Sequence, residues 1–124
     1  MKIALTAAGP DLDTVVDARF GRCPYFLIVE PESLKTEAVK NPNTVSGGGA
    51  GIQSAQILAD KNVTAVLTGN CGPNAFRTLE AAGIQVITGV SGPIREAVEQ
   101  YKSGKLTATD APNVENHFGM GSNR

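Results

Sequence analysis

The residues best able to do chemistry here are two cysteines, two arginines beside one of them, and three glycine loops. Cys71 stands in Thr68-Gly69-Asn70-Cys71-Gly72-Pro73, immediately before an apolar pattern of helical period. A helix start exposes unpaired N–H groups and a partial positive charge, which favour the thiolate that binds soft metals. Cys23 lies in Arg19-Phe20-Gly21-Arg22-Cys23-Pro24, where two guanidinium groups favour a thiolate or a bound anion. Each cysteine reads equally well as a small buried hydrophobe. There is no C-x-x-C spacing, and two cysteines with the single histidine, His117, do not complete a closed zinc site. His117, in Asn116-His117-Phe118-Gly119-Met120, is either a solvated residue or an imidazole ligand with Met120 as a thioether neighbour.

The glycines suggest what else could meet a guest. Gly47-Gly48-Gly49, Gly69-Asn70-Cys71-Gly72 and Gly89-Val90-Ser91-Gly92 each precede a helical pattern. Helix starts gathered on one side form a cradle for an anion, and glycine lets the backbone approach it closely. Taken singly, each loop is also an ordinary tight strand-to-helix turn. Neither the Gly-x-x-x-x-Gly-Lys-Ser/Thr nor the Gly-x-Gly-x-x-Gly nucleotide fingerprint follows a strand. The anion could therefore be a phosphate, a carboxylate or a sulfide-bridged cluster.

These groups need elements to position them. Ile3 to Ala7, Tyr25 to Glu30 and Leu34 to Val39 read as strands, the last two joined by Pro31-Glu32-Ser33 into an antiparallel hairpin. Residues 9–24 form a long loop of the kind that is usually functional or disordered. Ile52, Ala55, Leu58 and Ala59 recur at helical spacing; Ala65 to Leu67 is a short buried strand. Pro73 to Ala82 is a helix with Phe76 and Leu79 inward, and Ile84 to Ile87 is a strand. A last helix, opened by Ser91 as N-cap, carries Ile94, Val98 and Tyr101 on one face. Val66 to Pro73 and Val86 to Pro93 repeat one pattern 20 residues apart. Two successive strand–loop–helix units imply parallel strands, with both glycine-proline loops at their carboxyl edge.

The 124 residues suit one α/β domain over 1–105, followed by an irregular or mobile tail over 106–124. With 11 Lys+Arg against 12 Asp+Glu, no basic excess or aromatic-laced stripe points to nucleic acid. No apolar run approaches the roughly 20 residues of a membrane helix, so a cytoplasmic protein with free thiols is expected. Catalytic arrangements are thin. Pairing His117 with either cysteine leaves no third residue to orient it, and Asp11, Asp13 and Asp17 read as a solvated group.

The segment 18–29, Asn41-Pro42, glycines 47–51, Thr68 to Pro73 and Ala82-Gly83-Ile84, in this order and spacing, resemble the dinitrogenase iron–molybdenum cofactor biosynthesis family. That family includes carriers of nitrogenase cofactor assembly and the orange-protein branch, to which Ala4 to Ala7 and Gly9 to Asp13 are especially similar. The resemblance covers about residues 1–105. It implies a ribonuclease-H-like three-layer fold, a mixed five-stranded sheet flanked by helices. It also implies noncovalent binding of an anionic metal–sulfur cluster, either molybdenum–copper sulfide or iron–molybdenum cofactor. Such a guest would sit near Arg19, Phe20, Gly21, Arg22, the glycines Gly47, Gly48 and Gly49, Asn70 and Gly72. Cys71 and Cys23 would be soft contacts, and His117 lies outside the resemblance. Many relatives have a histidine where this chain has Arg19, which favours an electrostatic role for Arg19 and Arg22.

The expectation is thus a non-enzymatic carrier or assembly protein that hands a cluster to recipient proteins, with no membrane or nucleic-acid partner. The alternatives are a small enzyme using a cysteine, or a partner-binding module without a cluster.

Overall fold

The computed structural model describes residues 1–42 and 50–109. Gly47, Gly48, Gly49 and His117 lie outside the described residues, as does Met120. The elements are β1 (Ile3–Ala7), β2 (Tyr25–Val29), β3 (Thr36–Lys40), α1 (Ala50–Asp60), β4 (Ala65–Leu67), α2 (Pro73–Ala81), β5 (Gln85–Ile87) and α3 (Ile94–Lys102). The five strands form one mixed sheet in the order β3-β2-β1-β4-β5. β2 runs antiparallel to both β1 and β3, while β1, β4 and β5 are parallel.

Strand alternation divides the core into two layers. Ala4 in β1, Phe26 and Ile28 in β2 and Val66 in β4 face Ala55 and Leu58 of α1 and Phe76 and Leu79 of α2. On the other face Ile3, Leu5, Leu27, Val29 and Leu67 meet Ile94, Ala97 and Val98 of α3. The sheet is therefore the middle of three layers. β1, at its centre, is buried at all five positions, which explains why it is apolar on both faces except for the hydrogen-bonded Thr6. Truncating one of these buried leucines typically costs about 2–5 kcal/mol.

The 20-residue repeat is the register of the parallel pair, with Val66 opposite Val86 and Leu67 opposite Ile87. The likeness ends after the strands, because α2 and α3 pack on opposite faces of the sheet. Gly72 is extended at φ −77° and ψ 172°, whereas Gly89 and Gly92 have φ of 77° and 86°. Those two left-handed residues turn the second unit away from the path of the first.

Other differences from expectation are local. β3 begins at Thr36 rather than Leu34, because Leu34 takes φ 65° in the hairpin turn. Ser91 does not cap α3: the helix starts after the extended Pro93, and the Ile94 amide donates to the Thr14 carbonyl at 3.0 Å. Ile52 is 37% exposed instead of facing the core, and the buried row of α1 is Ala50, Ser54 and Leu58. Residues 106–109 have no regular secondary structure, yet Leu106 packs on the α3 side of the core. There the Thr109 amide donates to the Val86 carbonyl at 2.7 Å. No described helix is long and apolar enough to cross a membrane.

The long first loop is tied down along its length. Val16 donates to Gly92, Asp17 to the Thr6 carbonyl at 2.9 Å, and Asn70 to the Ala18 carbonyl at 2.7 Å. The approach is so close that a Cβ on Gly69 would lie 2.7 Å from Ala18 Cα and 2.9 Å from its Cβ. Nothing lies within 4 Å of a Cβ placed on Gly72. Gly69→Ala should therefore destabilise the fold by about 1–3 kcal/mol, read as a thermal midpoint several degrees lower, while Gly72→Ala stays near wild type. Equal midpoints for the two variants would contradict the packing of loop on loop.

Candidate functional site at the carboxyl edge of the parallel strands

Open α/β sheets bind ligands beyond the carboxyl ends of their parallel strands. Here that edge receives the loops after β1, β4 and β5. They are stitched together by Gly89 N–H donating to the Gly69 carbonyl at 2.9 Å and Phe20 N–H to the Asn70 carbonyl at 3.2 Å. Beneath them is a buried hydroxyl pair. Thr6 Oγ1 donates to the Asp17 carbonyl at 2.7 Å and lies 2.8 Å from Thr68 Oγ1. With its one proton on Asp17, Thr6 accepts from Thr68, and the chain of bonds fixes residue 17 to β1 and the end of β4.

Arg19 pairs with Asn70 through the main chain as an isolated parallel bridge. Its guanidinium is bonded to a carboxylate rather than to a thiol. It grips Asp17, Nε to Oδ1 at 3.1 Å and Nη2 to Oδ2 at 3.0 Å, and the Arg19 amide donates to the same Oδ1 at 2.9 Å. The Arg19 side chain bonded to it holds the Asp17 carboxyl below the usual carboxylate range, outweighing the opposing effect of partial burial. Phe20 leans on Phe26 with ring centroids 5.8 Å apart. Gly21 takes φ 95°, and a Cβ there would come within 3.1 Å of Gly51 Cα at the start of α1. This contact brings the first loop to the helix that follows the glycine-rich segment. The Arg22 amide donates to the Arg19 carbonyl at 3.2 Å, and Arg22 is exposed.

The cysteines are inside. Cys23 is 0% and Cys71 1% exposed, and both belong to the apolar cluster on the α1–α2 side. Burial, with the Asp17 charge adding to it, pushes the Cys23 thiol up to about 12 against amides that oppose the shift. Burial alone does the same for Cys71, also to about 12. Desolvation thus exceeds the thiolate-favouring influence expected from the helix start and the arginines. Both are neutral thiols in the protein as it stands. Among the described residues no group of three or more His, Cys, Asp and Glu side chains could hold a metal ion.

The helix starts differ from one another. That of α3 is covered, since Thr14 to Val16 bond to Gly92 and Ile94 and Val15 bridges to Pro93. The start of α2 has no side-chain cap, and its open approach lies at Gly72. Around residues 19–22 and 70–72 the Arg19, Phe20, Arg22 and Asn70 amides are committed to bonds within the protein, so the two guanidinium groups and the main chain at Gly72 are what this edge presents to a guest.

Three contributors had structural roles that residue type and spacing did not reveal. Asn41 is 2% exposed and donates from Nδ2 to the Gly21 and Cys23 carbonyls at 3.0 and 2.8 Å, holding the turn that carries Arg22. Asp17 read as one of three solvated carboxylates, and Thr6 as an ordinary strand former.

A mixed-sheet, three-layer α/β protein whose loops gather arginines and glycines at one edge is the class that fold and site define. The family model for the dinitrogenase iron-molybdenum cofactor matches residues 1–104, and the chain belongs to that family. The apo orange protein of Desulfovibrio gigas is 43% identical and superposes with a TM-score of 0.85, over 90% of this chain and 95% of that one. A Thermotoga protein provisionally described as NifB, of the DUF35 family, is 36% identical with a TM-score of 0.75, over 86% of this chain and 91% of its own. An uncharacterized protein of Methanocaldococcus jannaschii is 34% identical over 110 residues, 86% of this chain and 89% of the relative. Family membership links the chain to a metal cofactor or cluster.

The thiols give a direct test. Because their folded values lie above the ordinary 9.0, the unfolded chain ionises first as pH rises. Stability is then full below about pH 9 and falls between about 9 and 12, by up to about 1.4 kcal/mol per pH unit for each thiol. Iodoacetamide at pH 8 should label the native protein far more slowly than the urea-unfolded chain. Rapid native labelling of either cysteine would contradict it.

Proposed function

We propose that the chain binds an anionic metal–sulfur cluster noncovalently at this edge and carries or helps assemble it for recipient proteins in the cytoplasm. The observation that carries the reading is the convergence of residues 19–22 and 70–72, joined by main-chain hydrogen bonds, with two exposed arginines and the open Gly72 beside buried thiols. Such a surface suits a guest of diffuse negative charge and soft periphery. Guanidinium groups, with the main chain at Gly72, meet the sulfide and oxo atoms, and the site needs no ionised thiol to do so. The cluster is of the molybdenum–copper or iron–molybdenum type that the sequence resemblance implies.

On this reading Arg19, Phe20, Gly21, Arg22, Asn70 and Gly72 line the site, with Gly47 to Gly49 joining from the segment before α1. Cys71, with Cys23, becomes a soft contact when a bound metal displaces its proton to solvent, and His117 is a further candidate ligand from the C-terminal segment. The chain acts as carrier and not as catalyst: thiols held neutral by burial are poor nucleophiles, which counts against a cysteine enzyme. The ribonuclease-H-like label is supported by the order β3-β2-β1-β4-β5 with β2 antiparallel, and transfers no nuclease activity.

Anaerobic incubation of the metal-free protein with tetrathiomolybdate and copper(I), then desalting, should give a coloured protein retaining both metals by elemental analysis. Colourless, metal-free protein after desalting would overturn the molybdenum–copper form of the proposal.

A further inference from the structure

The Asp17–Arg19 pair has a division of labour that a simple surface ion pair lacks. Asp17 is fixed on both sides of its backbone, its amide donating to the Thr6 carbonyl and its carbonyl accepting from the Thr6 hydroxyl. Its carboxylate is 12% exposed, while the Arg19 side chain is 61% exposed. One partner is therefore immobile and half-sheltered, and the other is a long cation reaching in from solvent. A carboxylate bound bidentately offers guanidinium the same pair of anionic acceptors that a thioanion would. The Arg19 main chain is bridged to Asn70, so the exchange would take place at the edge already described.

We infer that Asp17 is a resident competitor: it holds the Arg19 guanidinium when the site is empty of guest and gives it up to the incoming anion, setting the affinity threshold for binding. This rests on the anion-binding reading of the site. In the free protein Asp17 keeps Arg19 ordered and offsets its charge. On binding, Arg19 swings from Oδ1 and Oδ2 to the guest, and Asp17 remains in place on its Thr6 anchors. Asp17 is thus a positioning and selectivity residue that need not touch the guest.

Asp17→Asn tests this, since asparagine keeps an Oδ1 for the Arg19 amide and loses both the charge and the Oδ2 acceptor that compete for the guanidinium. Tetrathiomolybdate binding, followed by anaerobic equilibrium dialysis with molybdenum analysis, should tighten roughly three- to tenfold in Asp17→Asn. In an Arg19→Gln background the same change should bring little gain, because the exchanged cation is gone. Overlapping thermal transitions for wild type, the two single variants and the double variant establish that all are folded. If Asp17→Asn binds no better than wild type, or if its gain persists undiminished with Arg19→Gln, the exchange is wrong and Asp17 acts only structurally or as a repelling charge. If wild type itself takes up no tetrathiomolybdate, the anion-binding reading fails and this inference falls with it.

Discussion

The rest of the structure depends on the bonding of one irregular stretch to the sheet edge it covers. Residues 8–24 contain no strand or helix, so their backbone donors and acceptors have no ladder of their own and must find partners elsewhere. They find them in Thr6, Gly92, Thr14's partner Ile94, and above all Asn70, whose amide and carbonyl clasp Ala18 and Phe20. Gly69 makes that clasp possible by presenting no side chain to Ala18. Because the same residues carry Arg19, Phe20 and Arg22, the contacts that satisfy the loop are also the contacts that aim it.

A second consequence is electrostatic. The arginines remain at the surface and the thiols are withdrawn from it, so charge and softness are separated in depth. An anionic guest would be met first by guanidinium groups and the main chain at Gly72. Closer approach to sulfur requires both a metal to displace the thiol proton and some opening of the apolar layer around Cys71. Such an order favours retention of a preformed, charged cluster over capture of a bare cation. It agrees with the lack of a convergent ligand group among the described residues.

Much of the fold was legible because its signals were local. β1, β4 and the hairpin followed from alternating or continuous apolar runs, and the repeat at 66–73 and 86–93 foretold the parallel register. What the repeat could not convey was that the two helices would take opposite faces, since that choice lies in the sign of φ at Gly89 and Gly92. The motif residues around 19–22 and 70–72 were also readable, as was their meeting at one edge. Their partners were not. That Arg19 would bond to Asp17, that Asn41 would hold the turn below it, and that burial would dominate both thiols are outcomes of tertiary placement, to which residue type and spacing give no access. Ser91 failed as a cap for a similar reason, because a distant carbonyl, Thr14's, took the role.

The segment 106–109 has an effect reaching past this molecule. By lying against the outer side of β5, with Thr109 bonded to Val86 and its hydroxyl to Thr88, it removes one of the two margins a five-stranded sheet offers to neighbours. The other margin, β3, presents Glu37 and Lys40 to solvent. Among the described residues β3 is then the one open border, and strand-to-strand joining of copies through it alone stops at a pair for as long as that short strap stays seated.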